Sequence, residues 1–235
     1  MKRSRAAALQ TREAILAGAL QAFARHGVGR ATFQHVAGFA GVTRGAVYWH
    51  FTDRASLVRE VFRGLRWPLD IGPDLQPYLQ CHNPLALLRE TLVAGIEHGL
   101  ADARQRALLA LLLSLQHSRE IFDTHDSRPD RAGEVVAPSS ADQAVDPGHG
   151  LPPDLQTHWE RQVADASARL VAVCALAEAR GLLRPGCHPK VLGACLHALA
   201  LDCLRGQCLS GLGAPAPQHR QAITWLLQGA ALSQT

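Results

Sequence analysis

Aromatic side chains are scarce in this chain: four Trp, two Tyr and six Phe among 235 residues. No stretch reaches the roughly 18 uncharged apolar residues that a membrane-spanning helix requires. No window alternates apolar and polar residues for long enough to read as a strand, so sheet architectures are excluded. The N-terminal MKRSRAAALQTRE is basic but has no apolar core before charges resume at Arg12 and Glu13, so it does not read as a secretory signal and a cytoplasmic location is expected. The six cysteines (Cys81, Cys174, Cys187, Cys195, Cys203 and Cys208) include no CxxC pair, and in a reducing compartment such residues serve mostly as small apolar side chains. There is no phosphate-binding glycine loop, HExxH, nucleophile elbow or credible triad, so no enzyme is expected and no cofactor is implied.

What is present begins with an uneven charge. Residues 1–66 carry eleven Lys or Arg against Glu13, Asp53 and Glu60, a net of +8, while the rest carries thirteen against seventeen acids, a net of −4. A basic segment beside a mildly acidic body implies a head that meets a polyanion, with nucleic acid the natural partner. The spacing of apolar residues is helical throughout. TREAILAGALQAFARHG predicts a first helix with Thr11 as cap and Gly27 as stop. ATFQHVAGFAGV predicts a second, capped by Thr32, with Val36, Phe39 and Ala40 inward and Gly41 as stop. Thr43 caps a third of barely two turns, and Thr52 or Asp53 caps a fourth that runs through Leu65 to Pro68.

GVTRGAVYWHF, residues 41–51, concentrates an arginine and three rings in a chain poor in aromatics. A second helix, a tight Gly-Val turn and a short third helix form a helix-turn-helix, whose second helix lies in the major groove. Val36, Ala37, Ala40, Val42, Val47 and Phe51 then face inward. The candidate DNA-contact set is Thr32, Gln34, Thr43, Arg44, Gly45, Tyr48, Trp49, His50 and Arg54, with the reading helix at about 43–50. Arg44 can pair with guanine or a phosphate, Gly45 admits the duplex closely, Tyr48 and His50 can donate to phosphate oxygens, and Arg54 opens the fourth helix, where a phosphate is favoured. Part of the Trp49 indole is expected to pack against the first helix.

VTRGAVYWHF, preceded by TREAILAGALQAFARHG and followed by TDRASLVREVF, resembles the DNA-binding head of the tetracycline-repressor (TetR) family over residues 11 to about 66. The resemblance implies base contacts from Gln34, Arg44, Gly45 and Trp49, and phosphate contacts from Tyr48, His50 and Arg54. Phe33 departs from the family pattern, which usually has a small hydroxyl residue there. The implied fold is all-α: an N-terminal three-helix DNA-binding domain (10–66) joined by a linking helix to a larger α-helical ligand-binding and dimerisation domain (67–235). Residues 83–113 also resemble, more weakly, the AcrR-type multidrug-efflux branch. The implied function is a ligand-responsive repressor, without metal or cofactor, that binds a palindromic double-stranded operator as a homodimer and is released by small hydrophobic or cationic effectors.

In the body, NPLALLRETLVAGIEHGL and ADARQRALLALLLSLQHSREIF read as two consecutive helices, and a long helix begins after Pro153. Residues 123–153, rich in Pro, Gly, Ser and Asp, predict a mobile loop. Helices at about 189–211 and 217–232 are expected to form the dimer interface, through Leu192, Cys195, Leu196, Leu199, Cys203, Ile223, Leu226, Leu227 and Ala230, with Gly193, Ala200 and Gly206 permitting close approach. Candidate effector contacts are Phe62 and Trp67 on the linking helix, Leu92, Ile96, Gln116, His117, Trp159 and Asp202. Asp202 stands out within ACLHALALDCL, where a lone carboxylate is costly to bury, and Arg205 can pair with it. Two rival readings stay open: a redox- or metal-sensing repressor of the same fold using Cys and His, and a helical interaction protein that does not bind DNA.

Overall fold

A computed structural model describes residues 5–123, 150–209 and 218–232, with backbone only at 116–123 and 209. The expected loop at 123–153 falls largely outside the described residues, as do the side chains of Gln116 and His117. Among the described residues there are ten helices and no strand. They are α1 (Arg5–His26), α2 (Phe33–Ala40), α3 (Arg44–His50), α4 (Arg54–Phe62), α5 (Gln76–Gln80), α6 (Pro84–Ala101), α7 (Ala103–Asp123), α8 (Pro153–Ala179), α9 (Pro189–Leu209) and α10 (Gln218–Ala230). The described residues fall into two compact units, one from Met1–Leu65 and Ala107–Gln156, the other from Arg66–Arg106 and Thr157–Thr235. No helix among them is long and apolar enough to cross a membrane.

In the first unit, α1, α2, α3 and α4 enclose Ile15, Ala19, Phe23, Val36, Val47, Leu57, Val58 and Phe62, all buried. The α1–α2 contact is close because Gly18 has no side chain: a Cβ there would stand 2.6 Å from the Ala40 nitrogen. Gly41 closes α2 in the left-handed region (φ 65°), where a side chain is disfavoured, and Val42 N–H donates to the Ala37 carbonyl at 3.1 Å. Asp53, not Thr52, caps α4: its Oδ1 accepts from Ser56 N–H at 2.6 Å.

Four local expectations are corrected. Thr11 does not begin α1, which is already helical at Arg5; its hydroxyl instead donates to the Ala7 carbonyl at 2.9 Å. A mid-helix threonine satisfies itself this way, which removes the need for a cap. Phe39 is not inward but 38% exposed. The fourth helix stops at Phe62 rather than at Pro68, because Arg63 leaves helical geometry and Gly64 turns left-handed (φ 84°), so Trp67 is not on it. Finally, α5 was not anticipated. It is a single turn with Pro77 in its first positions and no side-chain cap, too short for a periodic signal.

In the second unit, α6, α9 and α10 pack around Leu88, Leu92, Ile96, Leu196, Ala200, Leu204 and Ile223. Gly193 lets α9 meet α8, since a Cβ there would reach Val171 at 2.6 Å. Arg220 on α10 pairs with Glu97 on α6 at 3.0 Å. Asp70 pairs with Arg169. Leu192, Gly193, Leu196, Ala200, Ile223 and Leu227, expected at a subunit interface, are thus consumed within the unit. Cys195, also expected at the interface, is exposed, and the outward side of α9 and α10 carries with it Val191, Ala194, Ala198 and a Trp225 that is 64% exposed.

Candidate nucleic-acid interface

The reading-helix candidates lie on one short stretch of helix. Thr43 caps α3, its Oγ1 accepting from Ala46 N–H at 3.2 Å, so the first turn can form on seven residues without help from length. Val47 is the side chain of α3 that is fully buried, and it fixes which face turns away from the core. That leaves Arg44, Gly45, Tyr48 and Trp49 exposed. The Arg44 guanidinium donates to the Tyr48 hydroxyl at 3.0 Å and lies over its ring, 5.4 Å from the centroid. A Cβ added at Gly45 would meet nothing nearer than the Thr43 hydroxyl at 4.0 Å, so the backbone there is open to close approach.

Trp49 is 74% exposed, which corrects the expectation that its indole packs against the first helix. Its ring stands edge-on to His50, with centroids 4.6 Å apart, and His50 is half-buried. Trp49 is the most exposed of the large apolar groups of the described residues, and an indole left so open on a small unit is unusual. Phe33 is buried and meets the Tyr48 ring edge-on at 4.8 Å, so it orients the phenol where a hydroxyl residue would have offered a contact of its own.

The start of α2 supplies Thr32 and Gln34, both exposed. Thr32 Oγ1 accepts from His35 N–H while the His35 ring nitrogen Nδ1 accepts from Thr32 N–H, each at 3.3 Å. This is a capping box with histidine in the place where glutamate or glutamine usually stands. His35 also stacks on His26 of α1, centroids 4.1 Å apart and planes 12° from parallel. Burial first, then the charges of His35 and Arg25, hold the His26 imidazole below its ordinary value of 6.5. Nothing in the sequence pattern singled out this pair. The signal is the T-x-x-H spacing, which lacks the acidic or amide residue by which a capping box is usually recognised. Arg54 is half-buried in the first turn of α4. Arg12 was missed too; it pairs with Glu60 at 3.0 Å and sits over the Phe51 ring, fastening α1 to the residues that follow α3.

The effector candidates are spread over both units. Phe62 lies in the core of the first unit, whereas Leu92, Ile96 and Trp159 are core residues of the second. Asp202 is exposed, so burial cost is no longer an argument for a role there. Trp67, 4% exposed, lines a cavity of about 440 Å³ formed within the second unit. A second cavity, about 390 Å³, lies against Val191, Cys195 and Trp225. No group of three His, Cys, Asp or Glu that would hold a metal occurs among the described residues. Burial pushes the Cys174 thiol up to about 12 and Cys208 to about 11, and raises Cys203 as well, so these three are poor nucleophiles at neutral pH.

The exposed, arginine-bearing and aromatic second helix of a helix-turn-helix has the form of a helix that can enter a major groove. Residues 15–61 match the family described as bacterial regulatory proteins, tetR family. The chain is similar to that family over this segment. It is 39% identical over 114 residues to the "Probable acrEF/envCD operon repressor" of Escherichia coli strain K12, covering 47% of this chain and 50% of that protein. It is 36% identical over 112 residues to the HTH-type transcriptional repressor BepR of Brucella suis biovar 1, covering 48% and 54%. The chain thus spans about half the length of these curated relatives. The crystal structure of native NalD, the secondary repressor of the MexAB-OprM multidrug efflux pump in Pseudomonas aeruginosa, shares the fold with a TM-score of 0.63 at 22% identity, over 97% of this chain and 99% of NalD.

Proposed function

We propose that the chain is a cytoplasmic, homodimeric repressor that binds a palindromic operator through α3 and controls a multidrug-efflux or resistance gene. Residues 10–66 form the DNA-binding domain and residues 67–235 the effector and dimerisation domain. The observation that carries the reading is the outward face of α3, where Arg44, Gly45, Tyr48 and Trp49 are exposed together. Arg44 and Gln34 reach base edges; Thr32, Thr43, Tyr48, His50 and Arg54 hold the phosphates. The repressor names of the E. coli and Brucella relatives, and the efflux repressor of like fold, support the choice of regulated gene.

A single reading helix covers few base pairs, so specificity needs two half-sites and two heads. The exposed apolar side of α9 and α10, centred on Trp225 and Val191, is the surface that joins the copies. A hydrophobic or cationic effector bound in the body then shifts the population toward a dimer whose heads no longer match successive major grooves. Selection of bound duplexes from a random pool with the intact protein tests this. Enrichment of an inverted repeat, bound with strong salt dependence, is the expected result; no duplex binding at any ionic strength overturns it.

A further inference from the structure

α2 begins at Phe33, directly after its cap. The capping box of Thr32 and His35 fixes the backbone at the point where the Phe33 side chain leaves it. Thr32 and Gln34 are exposed, whereas Phe33 is buried with Val36 and Ala37 on the inward side of α2. Its ring reaches α3. There it meets Tyr48, centroids 4.8 Å apart and planes 67° from parallel, so a core residue of one helix touches an exposed residue of the next.

Tyr48 in turn carries Arg44, whose guanidinium donates to the phenol oxygen at 3.0 Å and lies over the ring. An arginine on an open helix face samples many rotamers, and ordering it on DNA costs entropy. The phenol lowers that cost only if it is itself still, since a ring free to turn about χ1 and χ2 gives the guanidinium a moving partner. Val47, next to Tyr48, is buried and sets the roll of α3, but the roll of a helix leaves those torsions open. An edge-to-face aromatic contact is directional and restricts them. Phe33, Tyr48 and Arg44 therefore form one line of contacts from the core to the outward face.

We propose that Phe33 is a positioning residue for base reading: from within the core it holds the Tyr48 ring, and through it the Arg44 guanidinium, in the pose that enters the major groove. The proposal rests on the reading of α3 as the helix that meets DNA. It adds a determinant of base preference that lies outside the DNA-contact set.

Duplexes selected from a random pool by the intact protein give its base preference at each position, and the position that Arg44→Ala relaxes is the one Arg44 reads. Phe33→Leu keeps an apolar side chain in the core and removes the ring. It should cut discrimination at that position about threefold to fivefold, the scale of one lost aromatic pair, and leave the other positions unchanged. In a Tyr48→Ala protein the same change should not alter discrimination there, because the link is already gone. A residue that merely fills the core would instead lower affinity for every sequence alike, in both backgrounds. Phe33→Met, a second apolar side chain without a ring, should act as Phe33→Leu does, with circular dichroism of both matching the parent.

A second readout needs no DNA. The chain has two tyrosines, Tyr48 and Tyr78, so carbon-13 labelling of tyrosine gives two sets of ring signals, which Tyr48→Ala assigns. Phe33→Leu should shift those of Tyr48 and leave those of Tyr78 in place. Unmoved Tyr48 signals, or intact base preference in folded Phe33→Leu and Phe33→Met proteins that still bind duplex, would overturn the proposal alone. A parent protein that bound no duplex while the Tyr48 signals shifted would overturn the reading of α3, and the proposal with it.

Discussion

The guanidinium of Arg44 donates to the hydroxyl of Tyr48 one turn along α3, and each side chain holds the other on the outward face of the helix. This pairing makes their effects on DNA binding dependent on one another. Arg44→Ala should cost about 1–3 kcal/mol of operator affinity and relax base preference at one position of each half-site. Tyr48→Phe removes a phosphate donor and should weaken all sequences about equally. In a double-mutant cycle the two changes should fall short of additivity by about 0.5 kcal/mol or more, since neighbours in contact couple. Strict additivity with unchanged base preference would place Arg44 away from the groove.

Gly18→Ala tests the packing beneath that face. In an isolated helix the change stabilises, by up to about 1 kcal/mol. Here the new Cβ would stand 2.6 Å from the Ala40 nitrogen and 2.8 Å from its Cβ, backbone and methyl that cannot step aside singly. Overpacking of this kind costs about 1–3 kcal/mol, so the midpoint of denaturant unfolding of the head should fall. A raised midpoint would mean that α1 and α2 do not meet there.

The stacked His26–His35 pair gives the head a pH dependence with a definite sign. The folded state holds the His26 imidazole below its ordinary 6.5, through burial, His35 and Arg25, so the unfolded chain takes up the proton first on acidification. Stability should therefore be flat above about pH 6.5 and fall as the pH drops below it. His197, lowered by burial, acts in the same direction in the other unit, so the diagnostic quantity is the difference between proteins. Thermal midpoints measured from pH 7.5 to 5.5 should decline less steeply in His26→Gln than in the parent. Parallel curves would remove His26 from the account.

Much of this was legible in the residues because it is local. Gly41 and Thr43 announce a turn and a cap, and Val36 and Val47 at helical spacing announce the buried side, so α2 and α3 are readable without a partner. Trp49 could not be placed this way. Whether an indole on a seven-residue helix lies inward or outward depends on what α1 presents to it, and periodicity over two turns does not decide that. The end of α4 was hidden for a related reason: Leu65 continues the apolar pattern and is buried, yet Gly64 has already broken the helix. Apolar pattern marks burial and does not single out effector contacts: Leu92 and Ile96 are buried whether or not a ligand is near. Gly95 and Gly99 line a cavity of the second unit, and a search for contact residues passes over them.

Trp225 is the residue at which the proposed interface is best tested. The residues that the apolar pattern places there, including Leu199 and Leu227, are a poor basis for a test, because Leu227 is only 4% exposed and a charge in its place would unfold the body rather than separate the copies. Trp225 is 64% exposed and Val191 61%, on neighbouring helices that share the wall of one 390 Å³ cavity with Cys195 and Leu226. Large aromatic groups at the centre of an interface are those whose loss costs most, commonly about 2 kcal/mol or more per copy. A two-fold axis beside Trp225 would count it twice. Trp225→Glu should therefore yield a folded monomer at micromolar concentration by sedimentation, with circular dichroism unchanged. Its binding to a single half-site should match that of the parent, while its affinity for the full inverted repeat drops by at least a hundredfold. A dimer that survives Trp225→Glu with Val191→Glu would show that the copies meet through some other surface.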